Sequence, residues 1–301
     1  MRNDLDIISH GVRLSAWHYP ATTDPWASAA GRPCVVMAHG FGATKDAGLE
    51  PFAERFAAAG ADVLVFDYRG FGTSDGEPRQ SVDHRRHRED YVSAVAHARA
   101  MPGVDPDRIV LWGSSYSGGH VVAVAARDPR IAAVVSQGAA MDGLAAVVEI
   151  LRYAGPRQLL RLTGHALFGV VRRGHSVPIV GPPGSLAAIT SADGEAGYQL
   201  IMGPTFRNTM LARGILPIMI NRPVAVADRL RMPLLLVVAR KDTIAPPSAV
   251  ERVAKKAQGE VLVERYDIGH FEIYEGEPFE RSVAAQVDFL RDVVGASILS
   301  P

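Results

Sequence analysis

The chain has 301 residues, of which 48% are hydrophobic and 21% charged, ample for a sizeable core. Its 32 basic residues balance 32 acidic ones, which argues against a general nucleic-acid or polyanion binder. A single cysteine, Cys34, excludes an intramolecular disulfide. At roughly 150 residues per unit, the length allows two small domains or one large α/β domain with an insertion.

In chain order, "DLDII" and "VRLSAWHY" alternate around Ser9, His10 and Gly11 and predict an antiparallel hairpin. The N-terminus lacks the long apolar core of a signal peptide. No apolar run approaches the ~20 residues of a membrane span, so a cytoplasmic location without membrane attachment is expected. After a Pro- and Ala-rich connection, "CVVMA" reads as a buried strand, with Cys34 as a structural thiol. "LEPFAERFAAAG" carries Leu49, Phe52, Ala53 and Phe56 at helical spacing and stops at Gly60. "DVLVFDY" is the next strand, followed by the turn-rich "RGFGTSDGEP". "HREDYVSAVAHARAM" predicts a helix with Tyr91, Val92, Val95 and Ala98 on its inner face. Strand "RIVLWG", a helix from Gly118 and strand "IAAVVSQ" continue the alternation.

Such strands alternating with amphipathic helices imply parallel strands joined by right-handed crossovers. The rhythm then breaks. Residues 143–226 hold helical patches such as "LAAVVEILRYAG" and Pro/Gly-rich breaks such as "VPIVGPPGS". Strands resume in "MPLLLVVARKD" and "EVLVERYD", with helices "SAVERVAKKAQ" and "RSVAAQVDFLRDVV". The expected organisation is a core of residues 1–142 and 227–301 interrupted by a helical cap of residues 143–226.

Reactive groups in open α/β sheets gather at the carboxyl ends of strands. Ser115 sits on the strand-to-helix turn "LWGSSYSGGH", two residues beyond Gly113. Ser114 falls too early, and Ser117 has Ser115 rather than glycine two residues before it. A serine nucleophile needs a base, a carboxylate to orient that base, and donors for the oxyanion. Asp242 follows one strand in "RKDTIAPP", and His270 follows the next in "IGHFEIYEGEP". The order Ser, Asp, His, each after its own strand, is that of nucleophile-elbow enzymes. Asp142, after "IAAVVSQ", is the alternative acid. The oxyanion donors are expected to be the amides of Tyr116, after the nucleophile, and Phe41 in "HGFG". His39 and Asp67 are read as turn-organising residues.

"HGFG", "DYRGFGTSDG", "RIVLWGSSYSGGH", "ARKDTIAPP" and "GHFEIY" together resemble the α/β-hydrolase superfamily across the whole sheet portion. The resemblance implies an α/β-hydrolase fold: a mostly parallel central sheet with an N-terminal antiparallel hairpin and a helical cap insertion. It matches Ser115, Asp242 and His270 to nucleophile, acid and base, and the Phe41 and Tyr116 amides to the oxyanion hole. Ser117 departs from the pattern by standing where glycine is usual. "SSYSGGHVV", "GPPGSLA" and "FRNTMLARG" are similar to a branch containing polyketide transferases, thioesterases and peptidase-like hydrolases.

The expected function is cleavage of a small, partly apolar carboxylic ester or thioester through an acyl-enzyme on Ser115. Acyl transfer, amide or peptide cleavage by the same triad, and non-catalytic ligand binding are the alternatives. No cofactor or metal is expected: His84 and His87 in "DHRRHRED" lack further ligands and read as a solvated helix start. A phosphate-cradling motif is absent. The expected partner is the small-molecule substrate, with no nucleic acid and no membrane. The oligomeric state, a homodimer included, stays open.

Overall fold

The computed structural model describes residues 2–295. An eight-stranded sheet runs in the order β1-β2-β4-β3-β5-β6-β9-β10. Its strands are β1 (Asn3–Ser9), β2 (Val12–Tyr19), β3 (Arg32–Ala38), β4 (Asp62–Phe66), β5 (Val104–Ser114), β6 (Ile131–Gln137), β9 (Leu234–Ala239) and β10 (Val261–Tyr266). β1 pairs antiparallel with β2, and β2 with β4; every other pairing is parallel. The expected mostly parallel sheet with an N-terminal antiparallel hairpin is therefore present. Helices α1 (Glu50–Ala59), α2 (His84–Ala100), α3 (Tyr116–Ala125), α6 (Pro247–Lys256) and α7 (Gly276–Leu290) cover it.

Central strands are apolar on both sides because both sheet faces are buried. Val36, Leu64, Leu111, Val134 and Leu236 join residues of α2, α3 and α6 on one face. Val35, Val65, Trp112, Val135 and Val237 join Phe52 and Phe56 of α1 and Phe279 and Val283 of α7 on the other. Each fully buried Val, Leu, Ile or Phe contributes about 1.5–3 kcal/mol of transfer free energy. Cys34 is fully buried in β3. Tyr91, Val95 and Ala98 face inward on α2 as the spacing predicts, but Val92 is exposed. The inner face instead runs through Asp90, Tyr91 and Ala94, back to His87 and His84.

Between β6 and β9 the chain leaves the sheet. This excursion carries α4 (Gly143–Val171), β7 (Ser176–Val177), α5 (Gly194–Ile201), β8 (Met210–Leu211) and two 3-10 segments, Ala212–Ile218 and Pro223–Arg229. β7 and β8 pair antiparallel, apart from the main sheet. α4 breaks at Gly155, whose φ of 75° leaves the helical region immediately before Pro156. The excursion is tied to the core by Tyr198, whose hydroxyl donates to Phe41 O at 2.6 Å, and by Gln80, whose amide donates to Thr209 O at 2.7 Å. Among the described residues, no helix is long and apolar enough to cross a membrane.

Candidate active site

The end of β5 and the start of α3 meet at Ser115, whose φ of 58° lies in the left-handed region. Such a conformation costs a non-glycine residue about 1–3 kcal/mol and persists only where its surroundings impose it. Here the backbone is held on both sides: Ser115 N donates to Gln137 O at 2.8 Å, and Ala140 N to Ser115 O at 2.9 Å. The turn is too tight for a side chain at Gly113, where a Cβ would lie 2.4 Å from Ser117 O.

Ser117 does more than fill the glycine's place. It is fully buried, its Oγ accepting from Ser114 N at 2.8 Å and lying 2.8 Å from the acceptors Ala38 O and Ser114 O. Its hydroxyl therefore stitches the turn to β3 and is committed to backbone partners. Ser114 is turned the other way, its hydroxyl 2.6 Å from Tyr274 OH. Of the three serines, Ser115 alone meets an imidazole.

His270 Nε2 lies 3.0 Å from Ser115 Oγ, and Nδ1 lies 2.6 Å from Asp242 Oδ2. An ionised carboxylate only accepts, so Nδ1 carries the proton and Nε2 is left to accept from serine. The other oxygen of Asp242 accepts from the Ile244 and Ala245 amides, both at 2.8 Å. Those two amides open the loop leading to α6 and fix the carboxylate's rotation. Burial pulls the His270 pKa down, but the charge and hydrogen bond of Asp242, aided by Asp193, outweigh it and leave it raised.

The alternative acid is occupied elsewhere. Asp142 caps α4 through Leu144 N and receives Arg222 and Arg252, each within 2.9 Å of a carboxylate oxygen. Its pKa is lowered, the guanidinium and amide bonds overcoming burial.

Phe41 and Tyr116 flank Ser115, their rings edge to face at 5.3 Å between centroids. Neither backbone amide has an acceptor among the described residues. Gly40 keeps the Phe41 loop close, since a Cβ there would lie 3.1 Å from Ser115 Cβ. His39 holds this loop, with Nδ1 3.1 Å from Gly40 O, and burial lowers its pKa. Asp67 anchors the same region by accepting from Lys45 N at 2.6 Å, Lys45 Nζ at 2.9 Å and Thr73 N at 3.1 Å.

Two cavities meet at Ser115. The larger encloses about 680 Å³, its open mouth included, and is lined by Ala146, Ile150 and Tyr153 of α4 with Ile189, Ile218 and Asn221. The smaller, about 330 Å³ by the same measure, lies on the His270 side against Ala47, Leu49, Ile201 and Tyr274.

The structure corrects one reading and adds two clusters. His84 and His87 are buried rather than solvated: His87 stacks on Tyr68 at 4.0 Å, and burial drives both pKa values down, that of His84 to about 4. Their spacing to Tyr91, i, i+3 and i+7, continues the inner face of α2, a signal masked by the polar residue type. His165 Nδ1 and His175 Nε2 share a hydrogen bond of 2.8 Å. Behind the turn, Gln286 accepts from Trp112 Nε1 at 2.7 Å and donates to Gln137 at 2.8 Å, a buried polar link no motif announced. Among the described residues, no three His, Cys, Asp or Glu are grouped to hold a metal.

Comparison with known proteins places the chain in a family. The quorum-quenching protein AidA of Acinetobacter baumannii (strain MDR-ZJ06) is 39% identical over 298 residues, 97% of this chain and 95% of that protein. The thiohydrolase aneE of Aspergillus aculeatus is 45% identical over 104 residues, 35% of this chain and 33% of that protein. The crystal structure of the α/β hydrolase GrgF from Penicillium sp. sh18 superposes with a TM-score of 0.79 at 25% identity, covering 98% of this chain and 99% of that one. The family described as serine aminopeptidase, S33, matches residues 29–274, and this chain belongs to that family of α/β hydrolases.

Proposed function

We propose that the protein is a serine hydrolase that cleaves a carboxylic ester or thioester through an acyl-enzyme on Ser115. The observation that carries this reading is the unbroken hydrogen-bonded chain Ser115–His270–Asp242 where two cavities meet. Ser115 Oγ attacks the carbonyl carbon while His270 Nε2 takes its proton. Asp242 keeps Nδ1 protonated and stabilises the imidazolium. The Phe41 and Tyr116 amides, free of other acceptors, receive the negative charge that develops on the carbonyl oxygen. His270 then returns the proton to the departing alkoxide or thiolate, leaving the acyl group on Ser115. Water, deprotonated by the same imidazole, releases the acid.

Residues 143–226 act in this reading as a cap whose apolar side chains bury the acyl group in the larger cavity. The smaller cavity contains His270, the proton donor to the leaving group, and is assigned to that group. After departure it admits water or a small acceptor, which is the basis for acyl transfer as a second reading. Removal of an N-terminal residue from a peptide is less well served. Asp142, the carboxylate lining the larger cavity, is already neutralised by Arg222 and Arg252 rather than open to a substrate ammonium.

A fluorophosphonate probe tests the assignment. Labelling is expected in the native protein and in Ser117→Ala and is expected to vanish in Ser115→Ala; the opposite pattern overturns the nucleophile. Product analysis with added alcohols or amines separates hydrolysis from transfer. Esters, thioesters and amides of graded acyl length define the substrate class.

A further inference from the structure

Arg88 projects from α2, partly buried, and lines a surface hollow with Arg127 and Asp128. It forms no ion pair among the described residues, and its buried Nε has no hydrogen-bond partner. Burial, with the charge of Arg127 adding, pulls its pKa down to about 10 against the opposing influence of Tyr116. Its one side-chain partner is Asn221, whose Oδ1 accepts from Arg88 Nη2.

Asn221 lines the larger cavity and is 2% exposed. Its backbone is held on both sides, N donating to Ile218 O at 3.0 Å and O accepting from Gly143 N at 2.9 Å. With its carbonyl oxygen committed to Arg88, the amide cannot flip without setting its NH2 group against a cation. Nδ2 is thereby presented as a donor, with one of its two N–H groups given to the Tyr116 hydroxyl and the other without an acceptor among the described residues. A largely apolar cavity thus carries a preset donor near the nucleophile. Such a donor favours ligands with an acceptor at the matching place.

We propose that Asn221, oriented by Arg88, is a specificity residue that hydrogen-bonds an acceptor oxygen, such as a keto group, on the acyl chain of the substrate. Arg88 is a positioning residue. The inference rests on the reading of Ser115 as the nucleophile and of the larger cavity as the acyl site.

The test uses three N-acetylcysteamine thioesters: hexanoyl, 3-oxohexanoyl and 5-oxohexanoyl. The readout is kcat/KM of each oxo thioester relative to hexanoyl, normalised to the same ratio for uncatalysed hydrolysis. The native protein is expected to favour one oxo thioester by about tenfold, the worth of one hydrogen bond. Asn221→Leu, and the isosteric Asn221→Asp, which turns an acceptor toward the cavity, are expected to abolish that preference. Arg88→Met is expected to weaken it chiefly through KM, and Arg88→Lys, which keeps a donor for Oδ1, to restore it. No preference in the native protein, or one that survives both Asn221 variants, overturns the proposal while leaving the hydrolase reading intact. Failure of all three thioesters together with absent fluorophosphonate labelling overturns the hydrolase reading itself.

Discussion

Replacing Asp242 with asparagine tests the charge chain with almost no change in shape. The outcome follows from the two amides behind the carboxylate. Ile244 N and Ala245 N both donate to Oδ1 at 2.8 Å, so an asparagine must keep its carbonyl oxygen there. Its NH2 group then faces His270 Nδ1, 2.6 Å from the present Oδ2. Two donors cannot share that bond, so Nδ1 gives up its proton and the ring takes the tautomer protonated at Nε2. That nitrogen can no longer accept from Ser115 Oγ, 3.0 Å away. The equivalent change in a Ser-His-Asp protease lowers kcat about 10⁴-fold, which corresponds to about 5.4 kcal/mol of barrier. Initial rates on p-nitrophenyl butyrate, with circular dichroism to verify folding, measure it. A folded Asp242→Asn protein retaining more than about a tenth of native kcat/KM would refute the tautomer argument.

Other consequences are open to measurement. The imidazole must be neutral to act as base, and Asp242 raises the His270 pKa above its ordinary value of about 6.5. The acid limb of kcat/KM against pH should therefore lie above pH 6.5, activity rising with pH through it; a limb at or below that value contradicts the assignment. Ser117→Ala leaves the buried Ser114 amide without its acceptor, and urea unfolding should show a loss of about 1–3 kcal/mol while labelling at Ser115 persists. Lys45→Met strands the buried Asp67 carboxylate, at an expected cost of about 3–5 kcal/mol in the same assay. Gly113→Ala drives a methyl group against backbone atoms of Ser117; overpacking of this kind costs about 1–3 kcal/mol, read by urea unfolding, and the displaced turn should slow probe labelling.

Much of the site was legible in sequence because each part depends on local chemistry. Hydrophobic period and turn residues mark where a strand ends, and in a parallel sheet all strands that follow crossovers point the same way. Ser115, Asp242 and His270 could therefore be assigned to one edge of the sheet without knowing any distance. The separation of Ser115 from Ser114 and Ser117 also followed from strand register, and the structure gives each of those two neighbours a different partner. What the sequence could not decide depends on residues far apart in the chain. His84 and His87 look polar and solvated until packing buries both, with Tyr68, Phe71 and His120 closing over His87. Asp142 remains an alternative to Asp242 until Arg222 and Arg252 are found to occupy it. The Arg88–Asn221 contact joins residues 133 positions apart, a pairing no spacing rule anticipates. Sequence by itself determined the order of the elements and the chemistry available at their ends, since both are set by backbone preference and side-chain type. Tertiary structure alone decided which charges are neutralised and which donors stay free, because burial and pairing are properties of the packed chain.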